Sequence, residues 1–163
     1  MKLELVQPSL RREWEMRRDG QVAARMRLPL FRRGASVELG TRELEIARVG
    51  GLRSEHAVRD PVTDEELVHQ RGGKVELGGR MTEWKRLGRK EGHGFVTLEG
   101  ELLVRVRISS GLLHTNGEAQ ADEGVAEQDA LALTLLGSYL LIRKAEDDAA
   151  AAGAATSAVA SSS

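Results

Sequence analysis

The longest apolar run of the chain spans residues 130–142 and reads A-L-A-L-T-L-L-G-S-Y-L-L-I. At helical spacing its large side chains point in every direction, so a helix formed by this run has no polar face. Its length of about 20 Å is too short for the ~30 Å hydrocarbon core of a bilayer. The run therefore predicts a helix over about 127–144 that is enclosed by protein. The small residues Thr134, Gly137 and Ser138 would let this helix approach the surrounding walls closely.

Residues 1–112 alternate apolar and polar side chains over short stretches that are separated by turn residues such as Asp19-Gly20 and Glu99-Gly100. The alternation predicts strands at 2–6, 12–18, 21–28, 35–39, 42–48, 55–59, 65–70, 73–77, 81–87, 93–98 and 101–108. A ring of eleven or twelve strands leaves a lumen too wide for its own side chains to fill, whereas one helix about 10 Å across would fill it. The fold class predicted is therefore mainly β, a closed antiparallel barrel of about twelve short strands around a hydrophobic C-terminal central helix.

An internal repeat supports a barrel made of hairpins. Residues 33–50 align without gaps to residues 71–88, with ten of eighteen positions identical at an offset of 38. Both copies carry the alternating segment V-E-L-G, and the dipeptides Gly40-Thr41 and Gly78-Gly79 are typical of two-residue hairpin turns. We therefore expect Gly40 and Gly78 to occupy equivalent turns with positive φ.

The composition changes after the predicted strands. Residues 113–124 are polar and acidic, and we predict that they form a connector between the barrel and the helix. Residues 146–163 are a low-complexity segment of small residues, whose alanines could prolong the helix by a turn or two, and we expect disorder from about Asp148. The predicted domains are thus a barrel with its central helix at 1–145 and a disordered tail at 146–163.

Cysteine content and charge narrow the function classes. The chain has no cysteine and its first residues lack the apolar core of a signal peptide, which favours a cytoplasmic location. Residues 1–117 hold 22 basic and 17 acidic residues, a difference of +5, and the rest of the chain is acidic. This excess is too small to predict nucleic-acid binding, and the short apolar run argues against an integral membrane protein.

The strand rhythm, the hairpin repeat and the terminal segment D-A-L-A-L-T-L-L-G-S-Y-L-L-I-R-K together resemble the superfamily of tubby-like proteins, phospholipid scramblases and LURP-one-related proteins. The resemblance covers roughly residues 1–145 and carries no diagnostic motif. It implies a twelve-stranded barrel around a C-terminal helix. Members of this superfamily bind phosphoinositides, are linked to lipid translocation or have no assigned chemistry.

Residue patterns typical of catalysis or of metal binding are absent from the sequence. The four histidines are scattered, no nucleophile or nucleotide-binding motif occurs, and the consecutive acids 64–66 read as a solvated loop. Four oxygen-bearing residues of the connector lack the spacing of a calcium loop, and the acids among them are better explained by the positive end of the following helix dipole: Asn116, Glu118, Asp122 and Glu123. We therefore expect a protein that is not an enzyme and has no catalytic residue, metal site or cofactor.

A series of arginines is the candidate binding feature. A basic stripe could meet phosphates or an anionic lipid headgroup, and its candidate residues are Arg11, Arg12, Arg17, Arg18, Arg25, Arg27, Arg32 and Arg33. The competing interpretation is an exposed barrel wall whose arginines pair with nearby acids such as Glu13 and Glu15. The leading functional hypothesis is a non-catalytic binding or scaffold module of unknown ligand, with a protein-interaction or regulatory role and an unknown protein partner. The alternatives are peripheral binding of anionic phospholipid and, second, an enzyme with an unrecognised active site, and the oligomeric state stays open.

Overall fold

The computed structural model describes residues 1–9, 11–30, 33–51, 55–110 and 115–160. Twelve strands form one closed antiparallel barrel, in which each strand pairs with its neighbours in sequence and β1 pairs with β12. The elements are β1 (Lys2–Val6), β2 (Glu13–Arg18), β3 (Gln21–Arg27), β4 (Ala35–Leu39), β5 (Arg42–Arg48), β6 (Glu55–Arg59), β7 (Glu66–Arg71), β8 (Lys74–Leu77), β9 (Arg80–Gly88), β10 (Gly92–Thr97), β11 (Leu102–Ser110), β12 (Thr115–Ala121) and the helix α1 (Glu127–Ala160). The predicted fold class is confirmed.

The strands form because their side chains alternate between the barrel interior and solvent. In β4, Ala35 and Val37 are buried while Ser36 and Glu38 are exposed. The inward side chains pack on one another and on α1 in a single hydrophobic core. Backbone groups of all twelve strands find partners on both sides, because closure of the barrel leaves no free edge.

The helix fills the lumen as the apolar run predicts. Leu133, Leu135 and Leu136 are fully buried although they point to different sides of α1. The helix lies nearest to β11, with further contacts to β7 and β10. In the described part of the chain, we find no helix with both the length and the apolar character needed to cross a membrane.

The direction of the strands fixes where α1 begins and where it leaves the barrel. The odd-numbered strands run toward one end of the barrel and the even-numbered strands run back. Helix α1 begins at the end where β12 stops, and Arg18 at the close of β2 pairs there with Glu127 in the first helical turn. The helix then leaves at the opposite end, where Arg143 donates to the Gly34 carbonyl.

The predicted acidic connector over 113–124 is corrected by the structure. Residues Thr115–Ala121 form β12, which pairs with β1 and β11 and closes the barrel, while residues 113 and 114 lie outside the described residues. The strand is polar and small, T-N-G-E-A-Q-A, and its buried side chains are Ala119 and Ala121. It is a strand because two neighbours supply backbone partners, which is a tertiary effect that local alternation does not reveal.

The helix end is also corrected. Residues 146–160 continue α1 with helical backbone, beyond the predicted end at Lys144 and over much of the predicted disordered tail. Alanine has the highest intrinsic helix propensity, and eight of residues 149–160 are alanine. The division of the chain at residue 145 into a barrel domain and a tail stays a prediction.

The internal repeat corresponds to two equivalent hairpins. In β4–β5 Leu39 pairs with Arg42, and in β8–β9 Leu77 pairs with Arg80, so both turns consist of two residues. Gly40 and Gly78 have φ of 61° and 54°. The expected equivalence of the two glycines is confirmed.

Replacing Gly40 or Gly78 with valine should lower the free energy of unfolding by about 1–3 kcal/mol, since a β-branched residue is strained at positive φ. A side chain at either position would meet open space, so the loss would come from the backbone alone. Chemical denaturation measures it. The matched control is Gly51→Val, where the side chain also meets open space and φ is not positive. Equal effects at all three positions would contradict the assignment to backbone strain.

Candidate basic rim and arginine groove

The loops at the two ends of the barrel carry opposite charge. The loops that follow odd-numbered strands lie where α1 leaves, and their described charged residues are Arg11, Arg12, Arg33, Arg89, Lys90 and Glu91. The loops that follow even-numbered strands lie at the other end, and their charged residues are Asp19, Asp60, Asp64, Glu65, Glu99, Glu101, Asp122 and Glu123. We call these ends the basic rim and the acidic rim. The near neutrality of the whole chain therefore conceals a strongly polarised barrel.

A groove of about 870 Å³ lies at the basic rim, across the ends of β2 to β5. We call it the arginine groove, after its charged lining residues Arg11, Arg12, Arg27, Arg33 and Arg48, which face Glu13 and Glu45. Five guanidinium groups against two carboxylates give the lining a net positive charge. Both glutamates already have arginine partners, since Arg27 Nε lies 2.8 Å from Glu13 and Arg59 Nε lies 2.5 Å from Glu45.

The arginines of the groove differ in what they bind. Arg12 Nη2 lies 2.6 Å from Glu146, and Arg33 Nη1 lies 3.4 Å from Asp147, so α1 supplies carboxylates to two of them. Arg11 and Arg48 are exposed, and among the described residues neither side chain has a carboxylate partner. The groove therefore presents two guanidinium groups that can bind an acidic ligand directly.

The floor of the groove is fixed to the helix in the lumen. The Gly34 amide donates to the Tyr139 hydroxyl at 3.0 Å, and Arg143 Nη2 donates to the Gly34 carbonyl at 3.1 Å. The Arg143 guanidinium also lies 5.6 Å from the centre of the Tyr139 ring, a cation–π contact. Helix packing and the loop between β3 and β4 are therefore coupled, which holds the groove in one shape.

The positive charge of this rim affects the pKa of a buried histidine, His56, that lies beneath it. The His56 ring lies edge-on to Tyr139 at 5.2 Å, and its Nδ1 lies 2.8 Å from Gln70 Oε1. Burial is the main cause that lowers the pKa of His56, and the charges of Arg33, Arg48 and Arg143 lower it further, against the hydrogen bond to Gln70. His56 is therefore neutral at pH 7 and leaves the excess positive charge to the arginines.

The structure divides the predicted arginine series into two sets. Arg11, Arg12, Arg27 and Arg33 meet in the arginine groove, whereas Arg32 lies outside the described residues.

The other predicted arginines lie elsewhere and are paired. Arg17 and Arg25 both bind Glu15 on the outer wall, at 2.7 Å and 3.5 Å, and Arg18 lies near the acidic rim, where it binds Glu127. The hydrogen bond from Arg17 is the main reason that the pKa of Glu15 is lowered, so this carboxylate stays charged and neutralises its neighbours. These three arginines therefore fit the interpretation of a charge-paired wall.

A second hollow at the basic rim, of about 390 Å³, lies on the other side of α1. Its basic lining residues are Arg86, Arg89, Arg107 and Lys144. His93 also lines it, and its ring stacks on Trp84 with the ring centres 5.3 Å apart. Arg107 is bound to Glu118 at 2.8 Å and Lys144 to Asp148 at 2.7 Å. Two of its four basic residues are thus balanced locally, whereas Arg86 and Arg89 have no carboxylate partner among the described residues.

Sequence reasoning missed Arg89 and Lys90 of the basic rim, and it missed the strand residues Arg48 of the arginine groove and Arg86 of the second hollow. A usable signal existed, because strict up-and-down connectivity places every second loop at the same end of the barrel. Charge counted loop by loop, and not along the chain, would have separated the two rims.

No protein-family model matches the chain, and neither a curated protein nor a solved structure is significantly similar to it.

Proposed function

We propose that the protein is a non-catalytic binding module that holds an acidic protein partner in the arginine groove. The observation that carries the proposal is the separation of charge between the two rims, since a net positive groove attracts and orients a negative partner. Arg11 and Arg48 supply the first contacts, because planar guanidinium groups bind carboxylates through paired hydrogen bonds. The resemblance to tubby-like proteins is part of the proposal, and the closed barrel around a helix supports it.

The experiment measures the binding of a fluorescein-labelled oligoglutamate peptide by fluorescence anisotropy at low and moderate salt. The variant Arg11→Gln/Arg48→Gln should bind roughly tenfold more weakly at low salt, at ~0.5–1 kcal/mol for each exposed charge contact. An oligolysine peptide should not bind the groove. The wild-type affinity should fall as salt rises.

The matched control is Arg17→Gln/Arg25→Gln, which removes the same charge from the outer wall. Arg17 and Arg25 bind Glu15 and line no part of the groove, so this variant should retain most of the wild-type affinity. If both double variants lose the same affinity for the peptide, binding depends only on net charge, and the proposal of a specific groove is contradicted.

The second candidate is peripheral binding to anionic phospholipid at the same rim. One exposed apolar side chain favours it, since Leu30 is 64% exposed and lines a hollow with Arg12 and Arg33. An apolar side chain among arginines is typical of surfaces that contact lipid headgroups and acyl chains. Co-sedimentation with vesicles that contain phosphatidylserine, together with failure to bind the peptide, would favour the lipid over the protein partner.

A further inference from the structure

Two acidic residues of α1 bind arginines that line the arginine groove, and they lie in an adjacent hollow that shares Arg12 and Arg33 with it. Glu146 binds Arg12 at 2.6 Å and Arg143 at 3.1 Å, and Asp147 binds Arg33 at 3.4 Å. Both acids lie on the helical turn that follows the point where α1 leaves the barrel. They therefore bind two guanidinium groups that the proposed acidic partner would also bind.

These contacts can be exchanged for others of the same kind. The side chains of Arg12 and Glu146 are 29% and 31% exposed, and those of Arg33 and Asp147 are 53% and 61% exposed. Ion pairs at this exposure contribute ~1 kcal/mol or less to stability, so an incoming carboxylate can replace either acid on Arg12 and Arg33 at little loss. The less exposed Arg143 side chain, which also binds Glu146, has further hydrogen bonds to the Pro29 and Gly34 carbonyls. The helix beyond them is exposed from Asp147 to Ala154 and has little packing to hold the acidic turn in place.

We propose that Glu146 and Asp147 form a built-in competitor that covers Arg12 and Arg33 until an acidic segment of the partner displaces them. The proposal rests on the proposed function, because it concerns the regulation of the same groove. Arg11 and Arg48 make the first contact with the partner, and Arg12 and Arg33 join only after the acidic turn has moved. The tail of the chain thus lowers the affinity of the groove and raises its selectivity for partners with several adjacent carboxylates.

The test uses the full chain with the substitutions Glu146→Gln and Asp147→Asn together. This variant should bind the oligoglutamate peptide about five- to tenfold more tightly than the wild type at low salt, since two competing ion pairs are removed. The gain should shrink as salt rises, because screening weakens the competitor and the peptide alike.

The matched control is Glu91→Gln/Asp148→Asn, which removes the same charge from the same end of the barrel. Glu91 pairs with Arg105 at 3.9 Å and Asp148 pairs with Lys144 at 2.7 Å, and neither of these basic residues lines the arginine groove. Its affinity should stay within about twofold of the wild type.

The outcomes separate this inference from the proposed function. If the wild type binds the peptide and the Glu146→Gln/Asp147→Asn variant binds no more tightly than the control, the proposal of a built-in competitor is overturned. The proposal that the groove binds an acidic partner is then still supported. Binding by that variant alone, with none by the wild type, would support strong competition. If no protein binds the peptide, both proposals fall. A purely structural role of the two acids would lower the melting temperature of the variant and leave the affinity unchanged, and this result also overturns the inference.

Discussion

Replacing Leu136 with aspartate is expected to unfold the whole protein. Leu136 is fully buried at the middle of the apolar run of α1, inside a lumen lined by the inward side chains of the barrel. An unpaired carboxylate in such a site loses its hydration, which costs several kcal/mol even after the group takes up a proton. Domains of this size are stable by only about 5–15 kcal/mol, so one such substitution consumes most of the margin.

Circular dichroism and size-exclusion chromatography measure the effect. The variant should lose its cooperative thermal transition and aggregate, because a barrel without a packed helix exposes its apolar interior. The matched control is Ala151→Asp, which introduces the same side chain into an exposed part of the same helix. The control should melt within a few degrees of the wild type, since the propensity difference is under ~1 kcal/mol and lies outside the core. If the Leu136→Asp variant melts at the same temperature as the control, water reaches position 136 and the helix is not enclosed in an apolar lumen.

Leu136 is buried and Ala151 is exposed on the same helix, and local sequence patterns predicted the burial of the first but not the helical conformation of the second. The apolar run predicted a buried helix because burial on all sides needs no knowledge of the partner strands. The strand positions were predicted within one or two residues in most cases, since alternation and turn glycines are local properties. The same local logic placed the helix end at Lys144, because the core ends there, whereas the alanines beyond it continue the helix by intrinsic propensity.

Features that depend on closure of the barrel could not be predicted in the same way. Strand β12 has no large apolar residue, and it becomes a strand through its pairing with β1 and β11. The arginine groove depends on the up-and-down order of the consecutive strands β2 to β5 and not on local alternation, so Arg11 and Arg48 line one groove although they are far apart in the sequence. The predicted arginine series contained four of the five groove arginines because four of them happen to flank β2 and β3.

The position of α1 in the lumen makes Gly137 the second sensitive point of the helix. A Cβ atom at Gly137 would lie 2.9 Å from Val106 Cγ2, 3.0 Å from Phe95 Cε2 and 3.1 Å from Trp84 Cη2. These three side chains come from β11, β10 and β9, which are neighbours in the barrel. The sequence predicted that small residues let the helix approach a wall, and the structure shows which wall it approaches at this glycine.

Two opposing effects decide the outcome of a substitution at Gly137. Removing a glycine from a helix interior favours the helix by up to ~1 kcal/mol, less for a β-branched residue. Overpacking a core that already touches the new Cβ on three sides typically costs about 1–3 kcal/mol, and valine adds two methyl groups beyond that Cβ. The packing loss is therefore larger than the gain in propensity.

Gly137→Val should consequently lower the free energy of unfolding by about 2 kcal/mol and the melting temperature by roughly 6 °C. The matched control is Gly153→Val, because a side chain there meets open space on the same helix. The control should leave the melting temperature nearly unchanged, since the valine side chain at position 153 makes no steric clash with the barrel. Differential scanning calorimetry of the two variants separates packing from helix propensity. Equal melting temperatures would mean that α1 does not lie against the wall formed by β9, β10 and β11, and would remove the physical basis for the glycine at this position.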